Sequence, residues 1–263
     1  MNLSFSNIAW TSEEDEAIYK LLNSFGIKYI DIAPGRNFNN PLKPLKQELN
    51  HLKRSLEEFD LKIGGMQSLV FGRNDLEIFG EKNKRIEFIE YLKKVFDLGN
   101  KIGASSAIFG SPKNRIVGDM DKTHAKEIAI EFFSTLSNYA MQANITICLE
   151  PNPTIYGGDF ITNTKEAFEL VSLVNHEYFK INLDLGTIIA NDEEIKISKA
   201  KIDEIGHVHI SEPYLKPIES DLYKTLITEL NKMHYENIIA IEMAKVGDDN
   251  ELNIRNTLEM ILG

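Results

Sequence analysis

The stretch "ITICLEPNPTIYGGDFITNTKEAFELVSLVNHEYFKINLD", residues 145–184, holds one complete structural unit. It opens with an apolar run that ends in Glu150 and passes through helical spacing over 164–174. It closes with a second apolar run ending in Asp184. Short runs of β-branched and apolar residues read as strands buried on both faces. A strand, a helix and a strand in that order imply parallel pairing, since parallel strands need a crossover connection.

Outward from this unit the texture repeats. Candidate strands occupy 3–8, 29–33, 62–68, 106–110, 145–150, 180–184, 207–211 and 238–242. The clearest helices between them lie at 14–25, 84–98, 125–143 and 164–174, and a last one covers 251–262. Gly26, Gly103, Asn144, Gly206 and Asn237 mark helix-to-strand turns. Eight such units in 263 residues suit a closed (β/α)8 TIM barrel forming a single domain over 1–263. An open doubly wound sheet would carry a Gly-rich phosphate loop after its first strand, and "NIAWTSEEDE" at 7–16 has none.

Composition narrows the function classes. Forty acidic against 29 basic residues give a formal charge of −11, which repels nucleic-acid backbones, and no basic arm offsets it. No apolar run is long enough for a membrane span. The single cysteine, Cys148, excludes an internal disulfide framework, and "MNLSFSNIAW" does not read as a secretory leader. A soluble cytoplasmic protein is the expectation, and a homo-oligomer is compatible with it.

In a (β/α)8 barrel the chemistry sits at the C-terminal ends of the strands. Strands five, six and eight end in Glu150, Asp184 and Glu242, and strand seven offers His209 in "HVHISEP". Buried together, three carboxylates repel one another or take up protons unless a cation joins them. Three oxygen donors and one nitrogen suit one divalent ion, with Mn²⁺ ahead of Mg²⁺, Co²⁺ or Zn²⁺. His207 shares a strand face with His209 and lies one layer deeper, as a supporting or packing residue.

At these motifs the chain resembles the xylose-isomerase-like sugar (phosphate) isomerase/epimerase family, which includes ketose 3-epimerases and hydroxypyruvate isomerase. The carriers are "LEPNP" with Glu150, "NLDLGT" with Asp184, "HVHISEP" with His209 and Glu212, "IAIEM" with Glu242, and "FGSPKNR" at 109–115. The resemblance implies that Glu150, Asp184, His209 and Glu242 bind one divalent metal, and that Glu150 and Glu242 move a proton on opposite faces of a carbohydrate. Abstraction next to a carbonyl gives an enediolate; proton return to the opposite face epimerises, and return to the neighbouring carbon isomerises. Thr187 stands where family members commonly have His, and Tyr156 where ketose epimerases tend to have an acid. Endonuclease IV of the same barrel family needs histidines where this chain has Gln67 and Thr187, so DNA cleavage is not expected.

Further candidates face the substrate. Gln67, at the end of strand three, can hydrogen-bond a hydroxyl. Tyr156, Glu212, Lys113, Arg115 and Lys216 complete the expected substrate-binding set. With Arg36, Arg73 and Lys245, the basic residues would ring the mouth and favour an anionic sugar, such as a sugar phosphate or sugar acid. Trp10, Phe71 and Phe109 are candidate apolar walls, although core packing explains Phe109 equally well. Two other functions fit the same residues: a metal-dependent lyase or dehydratase on a polyol ketone, and a catalytically silent sugar-binding barrel.

Overall fold

A computed structural model describes residues 1–247 and 249–263. Eight strands form a closed parallel barrel in sequence order: β1 (Asn2–Ser6), β2 (Tyr29–Ile32), β3 (Lys62–Met66), β4 (Ser106–Phe109), β5 (Thr146–Leu149), β6 (Phe179–Asp184), β7 (Ile205–Ser211) and β8 (Ile238–Glu242). The ring closes where Asn2 to Phe5 of β1 pair with Ile238 to Ile241 of β8. The helices are α1 (Asp15–Ser24), α2 (Pro34–Asn37), α3 (Lys46–Glu58), α4 (Lys82–Ile102), α5 (Lys122–Gln142), α6 (Thr164–Val174), α7 (Leu185–Ala190), α8 (Leu222–Lys232) and α9 (Asn250–Leu262). The alternation expected from the sequence is present, as one domain. No helix among the described residues is long and apolar enough to cross a membrane.

Local chemistry explains the element boundaries. On α4, Phe88, Leu92, Val95, Phe96 and Gly99 recur at helical spacing and are buried, and Gly103 ends the helix at φ 78°. Asp121 caps α5 through the N–H groups of Thr123 and His124, and Asn163 caps α6 through that of Glu166. Between strands and helices, Phe88, Phe109, Phe132, Phe133 and Phe179 pack ring against ring, with neighbouring centroids 4.8 to 5.9 Å apart. Phe109 therefore belongs to this outer core and does not wall the mouth.

Register places the upper rim. Asp184 pairs with His209, His209 with Ala240, and Ser211 with Glu242. Side chains alternate along each strand, so Asn182 shares a face with Asp184, and His207 and Ser211 share one with His209.

Candidate metal centre and active site

Glu150 follows the last residue of β5, and Asp184 and Glu242 end β6 and β8. His209 lies two residues before the end of β7. The structure brings all four together: one ligand atom from each lies within 4.8 Å of the others. His209 Nδ1 is 3.0 Å from Glu150 Oε1 and 3.1 Å from Glu242 Oε2, yet neither contact has hydrogen-bond geometry, and both ring nitrogens are buried without a partner.

Each carboxylate is oriented by neighbours. Asn182 Nδ2 donates to Glu150 Oε1 at 2.7 Å and Asn152 Nδ2 to Oε2 at 3.3 Å. Gly110 lies against the same carboxylate, where a Cβ would overlap Glu150 Oε2. Gln67 Nε2 donates to Glu242 Oε1 at 2.8 Å. The Thr187 N–H donates to Asp184 Oδ2 at 2.7 Å, capping α7, and the Ser211 hydroxyl donates to Oδ1. The Thr187 hydroxyl sits 2.7 Å from Asp184 Oδ2 and 2.8 Å from the Pro151 carbonyl, and its one proton serves one of them at a time.

The electrostatics follow from crowding. Burial, then the charge of Glu150, raises the Asp184 carboxyl to about 6. Burial alone would lower His209, but the charges and contacts of Glu242 and Glu150 hold it well above its ordinary value. Burial would raise Glu150; His209 outweighs it and holds the carboxyl low. The cluster thus concentrates positive charge at one point, as a proton or as a cation. Three carboxylate arms, an imidazole and orphaned ring nitrogens fit a divalent ion bound by oxygen and nitrogen.

The remaining sequence candidates fall into different places. Arg115 does not reach the mouth as a free cation: it is buried, and its Nη2 donates to the Glu150 carbonyl at 2.8 Å and to Asn152 Oδ1 at 2.7 Å. Burial lowers its guanidinium to about 10. The reason is the turn after β4, which folds Arg115 inward against the segment that follows β5 and leaves Lys113 outside. Arg36 is bound to Asp15 over the Trp10 ring, and Arg73 to Asp75 and Glu87. Lys113, Lys216 and Lys245 are exposed. Tyr156 is half-buried, packs edge-on to Tyr214 and accepts its N–H at 2.9 Å. Glu212 Oε1 accepts the N–H groups of Glu219 and Ser220. Trp10 is buried with Nε1 on Asp15, and Phe71 is 87% exposed.

Asn152, Asn182 and Ser211 were not singled out from the sequence as site residues. Strand alternation carried a signal for Asn182, two residues before Asp184, and for Ser211, two after His209. Asn152 has no such signal, because it lies past the end of β5.

The model of the xylose isomerase-like TIM barrel family matches residues 19–262. The chain belongs to that family. A search among curated proteins finds no match by sequence. Among solved structures, this xylose isomerase-like barrel is similar to 3-keto-D-glucoside 4-epimerase (YcjR) from E. coli, with 14% identity, TM-score 0.81, and 100% of this chain and 99% of that one covered. It is also similar to D-psicose 3-epimerase from Clostridium cellulolyticum H10, solved with D-tagatose: 15% identity, TM-score 0.73, 99% and 95% covered. A third similar structure is the IOLI protein with a bound zinc atom, at 18% identity, TM-score 0.73, and 98% and 94% covered. At these identities the likeness is one of fold.

Proposed function

We propose that this barrel is a divalent-metal-dependent sugar isomerase or epimerase that moves a proton next to a carbonyl. The observation that carries the reading is the convergence of Glu150, Asp184, His209 and Glu242 from four successive strands, with each glutamate steered by a side-chain amide. A bound ion, with Mn²⁺ the first choice for so oxygen-rich a set, would polarise a carbonyl and an adjacent hydroxyl and so acidify the C–H beside them. The epimerases of similar fold act on keto-sugars, which present that pair of oxygens.

The chain's own residues do the rest. Glu150 accepts the substrate proton as base, and Glu242 returns one from its own side of the site. Asn182 and Asn152 fix the Glu150 carboxylate and Gln67 fixes that of Glu242, so neither has to reorient during transfer. Asp184, oriented by the Thr187 N–H and the Ser211 hydroxyl, serves as a ligand. Tyr156 and Glu212, with exposed Lys113 and Lys216, form the substrate side of the mouth. The case for an anionic group on the sugar rests on the exposed Lys113, Lys216 and Lys245, since Arg36, Arg73 and Arg115 are already engaged.

The test is incubation of metal-loaded protein with ketoses, 3-keto-glycosides and their phosphates in D₂O. Deuterium at the carbon beside the carbonyl, lost in Glu150→Gln, is the expected result. A dehydrated product would reassign the site to a lyase. Silence across the panel, with sugar binding retained, would make the barrel a binding protein.

A further inference from the structure

Below the upper site the barrel interior is polar, where such barrels ordinarily stack branched apolar side chains. Asp31 of β2 and His207 of β7 are wholly buried there, with Ser4, Ser106 and Asn182 around them. Asp31 Oδ1 accepts the Ser4 hydroxyl at 2.6 Å and the Gly65 N–H at 3.1 Å. A Cβ on Gly65 would lie 2.7 Å from Asp31 Oδ2, so only glycine there admits the carboxylate. His207 Nδ1 is tied to Ser106 Oγ at 3.0 Å. Each side chain is anchored at one end and leaves one atom free.

Those free atoms, Asp31 Oδ2 and His207 Nε2, converge at 2.8 Å. Neither atom has a hydrogen-bond partner. The same signature, short contact without hydrogen-bond geometry, marks His209 Nδ1 against the glutamates of the upper site. Ligand atoms of Asp31, His207 and His209 also lie within 4.8 Å of one another.

We propose that the barrel axis holds a second cation site, in which Asp31 Oδ2 and His207 Nε2 bind a small divalent transition-metal ion with His209 at its upper edge. One carboxylate and imidazole nitrogen suit Zn²⁺, Co²⁺ or Mn²⁺. His207 has the usual form of a ligating histidine, with its other nitrogen bound to a hydroxyl that fixes the ring. Ser106, which holds the His207 ring, also lines a cavity of about 340 Å³ at the base of the barrel. The site needs no sugar chemistry and shares only His209 with the upper one.

The experiment is metal analysis of the purified full chain, together with anomalous scattering from its crystals at the absorption edge of the metal found. Wild type should carry about two equivalents, and Asp31→Asn and His207→Gln about one each, since ligand loss removes an ion from its own site. Glu150→Gln should keep the deeper ion, so the two sites fail separately. An anomalous peak between Asp31 and His207 in wild type decides the matter even if a variant does not fold. A single ion that Asp31→Asn retains and Glu150→Gln loses, or no peak at that position, would overturn the proposal and leave a buried ion pair.

Discussion

Around the upper rim, β5 to β8 end in side chains that converge on one point, whereas the loops after β1 and β2 carry side chains that bind one another. Asn7 donates to Asn37 Oδ1 at 2.8 Å and accepts the Ala33 N–H at 2.9 Å, while Trp10 and Arg36 both engage Asp15. Their polar atoms satisfy each other. The Glu150, Asp184 and Glu242 carboxylates instead crowd one another and leave the His209 nitrogens without hydrogen bonds. An arrangement that is costly by itself and becomes favourable with a ligand is what a site looks like before energetics favour folding alone. Strands β3 and β4 sit between these regimes: Gln67 and Arg115 reach across to hold Glu242 and the Glu150 main chain.

The largest expected effect tests the convergent half directly. Glu150→Gln and Glu242→Gln should each lower turnover by about 10² to 10⁴, the usual worth of a positioned acid or base; loss smaller than tenfold in both would remove proton transfer from these residues. Next come the amides. Asn182→Ala and Gln67→Ala should weaken metal affinity or turnover by about 10- to 100-fold, measured by metal titration and steady-state kinetics, as expected for groups that orient a ligand. Equal rates in wild type and Gln67→Ala would confine the site to β5–β8.

Arg115→Met should destabilise the chain by about 1–3 kcal/mol in denaturant titration, because the Glu150 carbonyl and Asn152 Oδ1 lose a buried donor. For pH, the sign comes from Asp184, whose carboxyl is raised to about 6 in the ion-free cluster. Above that value it is an anionic ligand; below it, a proton competes with the metal. Metal affinity should therefore fall as pH drops, first as His209, raised well above its ordinary value, takes up a proton and again through about 6 as Asp184 does. Proton release on binding should be seen by calorimetry in buffers of different ionisation enthalpy. The smallest effect belongs to the exposed lysines. Lys113→Ala and Lys216→Ala should change turnover of a free sugar by less than about twofold; a KM rise confined to phosphorylated sugars would give the mouth an anion-binding role.

The fold was legible because strand-and-helix alternation is a local property, and Glu150, Asp184 and Glu242 stood out as charges closing apolar runs. Asp31 interrupts "YIDI" in the same way, but its meaning depends on His207 reaching it from the far side of the ring. Arg115 shows the limit from the other direction. Its charge and loop position suggested a free cation, and its direction was set by the turn after β4 and by the acceptors just past the end of β5.

By itself, then, the sequence determined the order of elements, the parallel barrel and the residue types at each strand end, since these follow from periodicity and from the cost of burying charge. Only the tertiary structure decided which polar groups meet. Hydrogen bonds and ion contacts across a closed ring depend on register and on angles of a few degrees, and residues such as Gln67 and Glu242, far apart in the chain, become neighbours only when the barrel closes.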